Sequence, residues 1–190
     1  MNYSFLAMLF RQRYIKRWSL MHSTEPETLS RHTMECAVIS HCLCEIGNSV
    51  FGKNYDSARA ALLSLFHDAA EVVTGDLPTP VKYASDTMRR SYADIEAAAK
   101  ENLLSKLPDE LRPAYEKLLK PDNYPETSLI KAADKLCALI KCIIEKNSGN
   151  REFDAAYSST LEILKGMENE EVEWFMEYLL PAFSKSLDEL

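Results

Sequence analysis

Glycine and proline are scarce in this chain, which contains 5 Gly and 8 Pro among its 190 residues. No Ser/Gly-rich or low-complexity stretch interrupts the apolar pattern for long enough to mark a linker. No internal repeat is evident, and the chain length suits one domain that buries a sizeable core. The sequence therefore predicts a single domain over residues 1–190.

Long apolar runs and an excess of positive charge are also missing. No run approaches the ~20 apolar residues that span a bilayer, so we expect a soluble protein with no membrane partner. The net charge of -7 disfavours binding to a nucleic-acid polymer, because affinity for a phosphate backbone depends on clustered cations. The five cysteines form no C-x-x-C pair, and no secretory signal is evident. This pattern is typical of a reduced, cytoplasmic protein.

Apolar residues recur with the helical period, and no stretch alternates as a β-strand does. The sequence therefore predicts an all-α bundle of about eight helices. One helix is expected from Ser30, a good N-cap, to about Ile46, and the next from Asp56 to about Val73, where Gly75 ends it in a left-handed conformation. Further helices are predicted over Ser4–Tyr14, Thr87–Leu107, Pro108–Leu119, Pro125–Lys146, Glu152–Lys165 and Asn169–Leu180.

The adjacent pair His67 and Asp68 follows an apolar helical stretch, where burial alone would favour hydrophobic residues. His32 and Asp134 lie in two other predicted helices, and three helices can bring imidazole and carboxylate groups to one point. These donors suit a divalent ion such as Mn, Co, Ni, Fe or Zn. We therefore expect a metal site at the centre of the bundle. The alternative is that each residue is a satisfied polar group in a helix cap or on the surface.

Two acidic residues near this predicted site each allow a second interpretation. Asp134 lies among apolar residues, where an unpaired carboxylate is costly, and a metal ion, Lys131 or Lys135 would compensate its charge. Glu71 follows His67 by one turn of the predicted helix, so it can face the same cavity and act as a general acid or base. Alternatively, Glu71 is an exposed residue near a helix C-terminus.

Arg17 and Trp18 lie in a small basic cluster near the N-terminus. A guanidinium group suits a phosphate, and an indole ring can pack against a sugar or base. The alternatives are a solvated helix face for the arginine and a core position for the tryptophan. Farther along, the two prolines of Asp76–Pro80 limit the backbone, and such a rigid segment suits the wall of a ligand site.

The pattern of His32, His67-Asp68 and Asp134 resembles the HD-domain superfamily of metal-dependent phosphohydrolases. The similarity is closest to its bacterial 5′-deoxynucleotidase branch and covers essentially the whole chain. It is carried by the stretch Phe66–Tyr83, by Arg17-Trp18 followed by Leu20-Met21, by Lys131–Ala138 and by the ending Ser186–Glu189.

The resemblance implies an all-helical homodimer that removes phosphate from deoxyribonucleoside 5′-monophosphates, giving the deoxynucleoside and inorganic phosphate. It also implies one divalent metal ion per subunit, cobalt, manganese or another transition metal. The metal ligands it implies are His32, His67, Asp68 and Asp134.

The same resemblance assigns roles in catalysis and substrate binding. Arg17 orients the phosphate, Glu71 is the acid/base, and Asp68 orients the nucleophile as well as binding metal. Trp18 and the segment Asp76–Thr79 help to exclude a ribose 2′-hydroxyl. The implied substrate contacts are Arg17, Trp18, His32, Asp76, Leu77, Pro78 and Thr79.

Arg31 departs from the family pattern, which usually carries an acidic residue before the histidine at position 32. A guanidinium group there can alter the charge and hydrogen bonding around a ligand, so the sequence does not fix the metal preference. All four ligand positions and the Arg-Trp pair are intact, so we expect activity to survive. The alternative functions are an HD phosphohydrolase for a cyclic nucleotide, a triphosphate or guanosine tetraphosphate, a non-catalytic nucleotide-binding module, and a helical interaction protein without metal.

Overall fold

The computed structural model describes residues 3–82 and 84–190, and within this range it contains helices but no β-strand. The all-α prediction is confirmed. Tyr83, the last residue of the stretch that carries the family resemblance, lies outside the described residues. The α-helices in this range are α1 Phe5–Leu9, α2 Leu29–Val50, α3 Ser57–Phe66, α4 Glu71–Thr74, α5 Thr79–Lys82, α6 Asp86–Leu104, α7 Arg112–Leu119, α8 Thr127–Asn147, α9 Asp154–Lys165 and α10 Glu170–Tyr178.

Short 3₁₀ segments account for part of the difference from the predicted elements. The expected first helix is α-helical only through α1 and continues as a 3₁₀ segment over Phe10–Tyr14. Single-turn helices are a second difference, because α4 and α5 contain four residues each. Three more 3₁₀ segments are Arg151–Phe153, Leu180–Ser184 and Leu187–Glu189.

Helix α2 does not stop at Gly47 as predicted but continues to Val50. A Cβ atom on Gly47 would lie 2.6 Å from a ring carbon of Tyr55 and 2.9 Å from a carboxylate oxygen of Glu171. The glycine is therefore needed for close packing inside the helix, not for its end. Gly75 does adopt the predicted left-handed φ, at 75°.

The predicted third helix is interrupted, since α3 ends at Phe66 and α4 begins at Glu71. Between them, Ala69 N donates to the carbonyl of Phe66 at 3.1 Å and Glu71 N to that of Asp68 at 3.0 Å. Hydrogen bonds between residues three apart make tight turns rather than α-helix. His67 and Asp68 therefore stand in a turn, and the expectation that one helix face carries them with Glu71 is wrong.

The chain forms two compact units. Unit 1 takes residues 3–22, 26–34, 65–82 and 84–122 of the described chain. In its core, the ring of Tyr115 meets the ring of Phe5 edge-on, with the ring centroids 4.8 Å apart. Ala69 is fully buried in this core, which anchors the turn that carries His67 and Asp68. The buried core residues are Phe5, Ala69, Leu103, Leu104, Leu107 and Leu119.

Unit 2 takes residues 23–25, 35–64 and 123–190. Helix α8 is its centre and packs along α9, with buried residues that include Leu129, Leu136, Leu139 and Phe175. Throughout the described residues, each helix is too short or too polar to cross a bilayer. The single domain expected from the chain length stays a prediction.

Candidate metal and phosphate site

His32, His67 and Asp68 lie close together in unit 1. His32 is fully buried in the first turn of α2. Oδ2 of Asp68 is 2.9 Å from Nε2 of His67 and 3.5 Å from Nε2 of His32, and each of the three offers a ligand atom within 4.8 Å of the others. Two imidazole nitrogens and a carboxylate oxygen are donors that zinc and similar ions accept. The donor set therefore fits a divalent metal ion.

The charge on Asp68 suits the same role. Burial by itself raises the pKa of its carboxyl group, but interactions with His67 and then His32 outweigh burial and hold the pKa well below its usual value. Asp68 is therefore a carboxylate at neutral pH, the form that binds metal. Its Oδ2 also lies 3.7 Å from an Nη atom of Arg17.

Arg17 and Trp18 share one buried partner, Glu27. Nε of Arg17 donates to Oε1 of Glu27 at 2.8 Å, and Nε1 of Trp18 donates to Oε2 at 3.2 Å. An antiparallel bridge between Lys16 and Thr28 aligns the two segments, and the backbone N–H of Arg17 donates to the carbonyl of Glu27 at 3.0 Å. Only 13% of the Arg17 side chain is exposed, so it does not belong to a solvated helix face.

The backbone of Trp18 adopts a left-handed φ of 59°. This region is rare for a bulky residue and costs on the order of 1–3 kcal/mol, so it persists only where surrounding structure enforces it. The carbonyl of Trp18 accepts a hydrogen bond from Met21 N at 2.9 Å, which closes the turn. The fold therefore holds the backbone of Trp18 in a conformation that local preference alone would not favour.

Glu71 is buried at the start of α4, so the alternative of an exposed residue at a helix C-terminus does not apply. Its pKa is raised to about 8 by burial and by the negative charges of Asp68 and Asp76, with Arg17 and Lys82 acting in the opposite direction. The carboxyl group is therefore mostly protonated at neutral pH and can donate a proton. Its role as the catalytic acid stays a prediction.

The segment Asp76–Thr79 joins α4 to α5. Asp76 is half-buried; burial raises its pKa, and the nearby charge of Arg17 opposes that change. Leu77 and Pro78 are half-buried as well, whereas Thr79 is exposed as the first residue of α5. Asp76 thus belongs to the charged group around Arg17, and the substrate contacts of the other three residues stay predictions.

Asp134 lies on α8 in unit 2 and is half-buried. Nζ of Lys135 is 3.0 Å from its Oδ2, so one of the two lysine partners considered from the sequence does contact it, whereas Lys131 is exposed. Its assignment as the fourth metal ligand stays a prediction.

Sequence reasoning missed Glu27 and Lys82. Nζ of Lys82 is 3.2 Å from Oε1 of Glu96 and 4.4 Å from the centre of the Tyr92 ring.

Glu27 precedes α2, where an acidic residue is ordinary because helix N-termini favour negative charge. No sequence signal therefore separates Glu27 from a simple helix-start residue, and only its contacts reveal it.

Comparison with known proteins gives a consistent family. The model of the family described as 5′-deoxynucleotidase YfbR-like matches residues 4–183. A 5′-deoxynucleotidase of Photorhabdus laumondii is 42% identical over 188 residues, which covers 98% of this chain and 95% of that protein. The 5′-deoxynucleotidase YfbR of Escherichia coli strain K12 is also 42% identical, with 98% and 94% coverage.

Solved structures share the fold. An HD-domain phosphohydrolase from Listeria innocua superposes with a TM-score of 0.83 at 24% identity, covering 95% of this chain and 88% of that one. The HD phosphohydrolase DatZ of cyanophage S-2L, solved with dA and one catalytic zinc ion, gives a TM-score of 0.62 at 17% identity, with 92% and 95% coverage. These similarities identify the fold as that of HD-domain phosphohydrolases.

Proposed function

The chain belongs to the 5′-deoxynucleotidase YfbR-like family, and on that premise we propose that it hydrolyses deoxyribonucleoside 5′-monophosphates to deoxynucleosides and inorganic phosphate. The observation that carries the proposal is 42% identity, over 98% of the chain, to enzymes named 5′-deoxynucleotidase. The reaction class is phosphoric monoester hydrolysis.

We propose that one divalent ion per subunit is held by His32, His67, Asp68 and Asp134. The neighbouring donors of the first three residues support this assignment, and the family pattern supports the fourth. Bound there, a divalent ion would lower the pKa of a water ligand and offset negative charge on the phosphoryl group. Imidazole and carboxylate donors accept cobalt, manganese or zinc, and a relative of the same fold, DatZ, carries zinc.

Arg17 binds and orients the phosphate in this proposal. Its guanidinium is a permanent cation that can form paired hydrogen bonds with phosphate oxygens. Glu27 and Asp68 lie 2.8 Å and 3.7 Å from two of its nitrogen atoms and so limit its orientation. A positioned guanidinium stabilises the charge that builds on the phosphoryl oxygens during displacement.

Glu71 and Asp68 complete the proton transfers. Water attacks phosphorus as the bond from phosphorus to the 5′-oxygen breaks. Asp68, a carboxylate, orients the attacking water. Glu71, protonated at neutral pH because its pKa is raised to about 8, gives its proton to the leaving oxygen. One proton of the attacking water stays on the phosphate, and the other is released to solvent, from which Glu71 is protonated again. The products are the deoxynucleoside and inorganic phosphate.

Selection of deoxyribose is assigned to Trp18 and the segment Asp76–Thr79. His32 also contributes to the substrate site in this proposal. The held indole of Trp18 and the proline-limited segment would leave no room for a 2′-hydroxyl group. Rejection of a group by packing requires side chains that stay in place, and the hydrogen bond from the Trp18 indole to Glu27 supports this role.

A cytoplasmic homodimer is the proposed form of the enzyme. None of the five cysteines forms a disulfide bond, which suits a reducing compartment. Large apolar side chains at Leu6, Phe10 and Tyr14 are 55%, 61% and 69% exposed, and a second copy of the chain would cover apolar surface. Sedimentation velocity tests this: twice the mass of one chain is expected, and a monomer at micromolar concentration would contradict it.

The experiment for the activity measures phosphate release from matched ribo- and deoxyribonucleoside 5′-monophosphates. Protein treated with a chelator is resupplied separately with cobalt, manganese, magnesium or zinc. Metal-dependent release from the deoxy substrates alone is expected. Equal release from both would leave a general nucleotidase. If neither substrate releases phosphate but a cyclic nucleotide, a triphosphate or guanosine tetraphosphate is turned over, the protein is an HD phosphohydrolase of another nucleotide class. Nucleotide binding without turnover would indicate a regulatory module.

A further inference from the structure

Glu27 is a buried carboxylate that touches three of the groups assigned to the reaction. Only 6% of the surface of Glu27 is exposed to solvent. Oε1 accepts from Nε of Arg17 at 2.8 Å and lies 3.7 Å from Nδ1 of His32, while Oε2 accepts from Nε1 of Trp18 at 3.2 Å. One side chain is therefore in contact with the proposed phosphate, sugar and metal residues together.

The backbone fixes where this carboxylate stands. Arg17 N donates to the carbonyl of Glu27 at 3.0 Å, and Leu29 N donates to the carbonyl of Ile15 at 2.9 Å. These two bonds flank the antiparallel bridge between Lys16 and Thr28. Glu27 therefore contacts Arg17 through both its backbone and its side chain, which leaves the carboxylate little freedom to move.

We propose that Glu27 is a positioning residue that sets the enzyme's preference for deoxyribose by locking the Trp18 indole against Arg17. The inference rests on the proposed function, because it assigns the sugar to Trp18 and the phosphate to Arg17. One carboxylate bound to both side chains fixes the distance between the phosphate and the wall that meets the sugar. A displacement of about 1 Å at such a site can cost 10²-fold in rate.

A glutamine at this position breaks the arrangement with minimal change of shape. Arg17 and Trp18 donate to different oxygens of Glu27. The amide keeps only one of these oxygens, and its NH₂ group takes the place of the other, where it faces an N–H donor. The negative charge beside the guanidinium is also lost. Glu27→Asp keeps the charge and both acceptors and shortens the side chain by one methylene group, so it serves as the conservative rescue variant.

Glu126→Gln is the matched control. Glu126 is also fully buried and accepts from an arginine, with Nη2 of Arg59 at 2.8 Å from its Oε1. Glu126 belongs to unit 2, and its partner Arg59 is not one of the residues assigned to the reaction. Any general effect of neutralising a buried, arginine-bound carboxylate will therefore appear in both variants.

The kinetic test compares kcat and KM for paired deoxy and ribo substrates at saturating metal. For Glu27→Gln we expect kcat/KM for the deoxy substrate to fall by about 10- to 100-fold, the deoxy-to-ribo ratio to fall by about 10-fold, and the bound metal to stay unchanged. Glu27→Asp should recover part of the ratio. An unchanged ratio in Glu27→Gln, whatever its overall activity, would overturn the proposal.

A spectroscopic test separates this inference from the proposed function. The chain has two tryptophans, so Trp174→Phe leaves Trp18 as the single remaining one. In that background, adding Glu27→Gln should lower the fluorescence anisotropy of Trp18 and shift its emission to the red, while Glu126→Gln should do neither. Unchanged anisotropy would overturn the positioning role even in an active enzyme. A wild type without phosphatase activity would instead overturn the proposed function and leave this readout intact.

Discussion

Glu71 combines burial with two negative neighbours, Asp68 and Asp76, and together these set its protonation state. An exposed glutamate has a pKa of about 4.3 and is fully ionised at neutral pH, so it could not donate a proton to a leaving oxygen. The raised pKa of about 8 keeps the proton on the carboxyl group at neutral pH. Asp68 lies in the same unit with a lowered pKa, so the two acids differ in protonation as their assigned roles require.

Glu71→Gln is expected to lower kcat by about 10²-fold or more, the usual scale for a positioned acid, while the metal content stays unchanged. A general acid works only while protonated, so wild-type activity should fall as pH rises through about 8, and the residual activity of the variant should lack that fall. The check is a pH profile of kcat from 6 to 10. Glu101→Gln, at an exposed glutamate, serves as the control, and a variant with near-normal turnover would exclude the role.

At the scale of elements, the turn between α3 and α4 shapes the candidate site more than the helices do. A continuous helix would place His67 and Glu71 on one face, whereas the observed turns place the His67-Asp68 pair between helices. The chain turns again at Gly75, whose φ of 75° and ψ of 165° belong to a region that only glycine adopts readily. The direction of the following segment, Asp76–Thr79, therefore depends on that glycine.

Gly75→Ala is expected to lower the free energy of unfolding by about 1–3 kcal/mol through backbone strain. No atom lies within 4 Å of the added Cβ, so a steric clash does not contribute. The substitution should also raise KM by moving Asp76. Gly149→Ala is the matched control, since Gly149 has a φ of 80° with open space around its Cβ position and lies in unit 2. Urea unfolding and steady-state kinetics measure both effects. Equal changes in KM for the two variants would contradict the assignment of the Asp76 segment to substrate.

At the scale of the whole molecule, contacts between residues far apart in sequence hold irregular segments in place. Glu145 on α8 is fully buried and accepts from the backbone and hydroxyl of Thr24 at 2.9 Å and 2.7 Å and from Asn150 at 2.8 Å, with Lys141 as its ion-pair partner. Burial alone raises the pKa of this carboxyl group, but Lys141 and these hydrogen bonds outweigh burial and lower it.

Glu145→Gln is expected to destabilise the protein by about 3 kcal/mol at neutral pH, because it leaves Lys141 buried without its charge partner. The folded pKa of Glu145 is depressed, so its stabilisation is present above the unfolded pKa of about 4.3 and is lost as pH falls towards the folded pKa. The stability difference between wild type and variant should therefore shrink between pH 5 and pH 3. Urea unfolding at both pH values checks this, and a constant difference would contradict it.

Metal binding should stabilise the whole molecule as well as activate it. An ion at 100 times its dissociation constant adds about 2.7 kcal/mol, or about 5 °C or more in Tm for a chain of this size. Chelation should therefore lower Tm, and resupply should restore it. Asp134→Asn should reduce this metal-dependent part of Tm, as His67→Ala should. A full metal response in Asp134→Asn would remove Asp134 from the ligand set.

The all-α class could be read from the sequence alone, because the 3.6-residue period depends only on which positions are apolar. It placed α8 within two residues at each end, as Pro125–Lys146 against the observed Thr127–Asn147. The turn at Gly75 was also predictable, since a glycine after a helical pattern favours a left-handed end. The proximity of His67 and Asp68 required no folding, because they are adjacent in the chain.

Features that depend on distant neighbours required the folded chain. The break at His67 consists of tight turns between Phe66 and Glu71, which the helical period does not predict, and Ala69 within them is buried in the core of unit 1. The raised pKa of Glu71 depends on burial and nearby charges, which composition does not encode. Glu27 looks like an ordinary helix-start residue in sequence. The bridge between Lys16 and Thr28 brings it to Arg17 and Trp18, and contacts made across a fold cannot be read from local pattern.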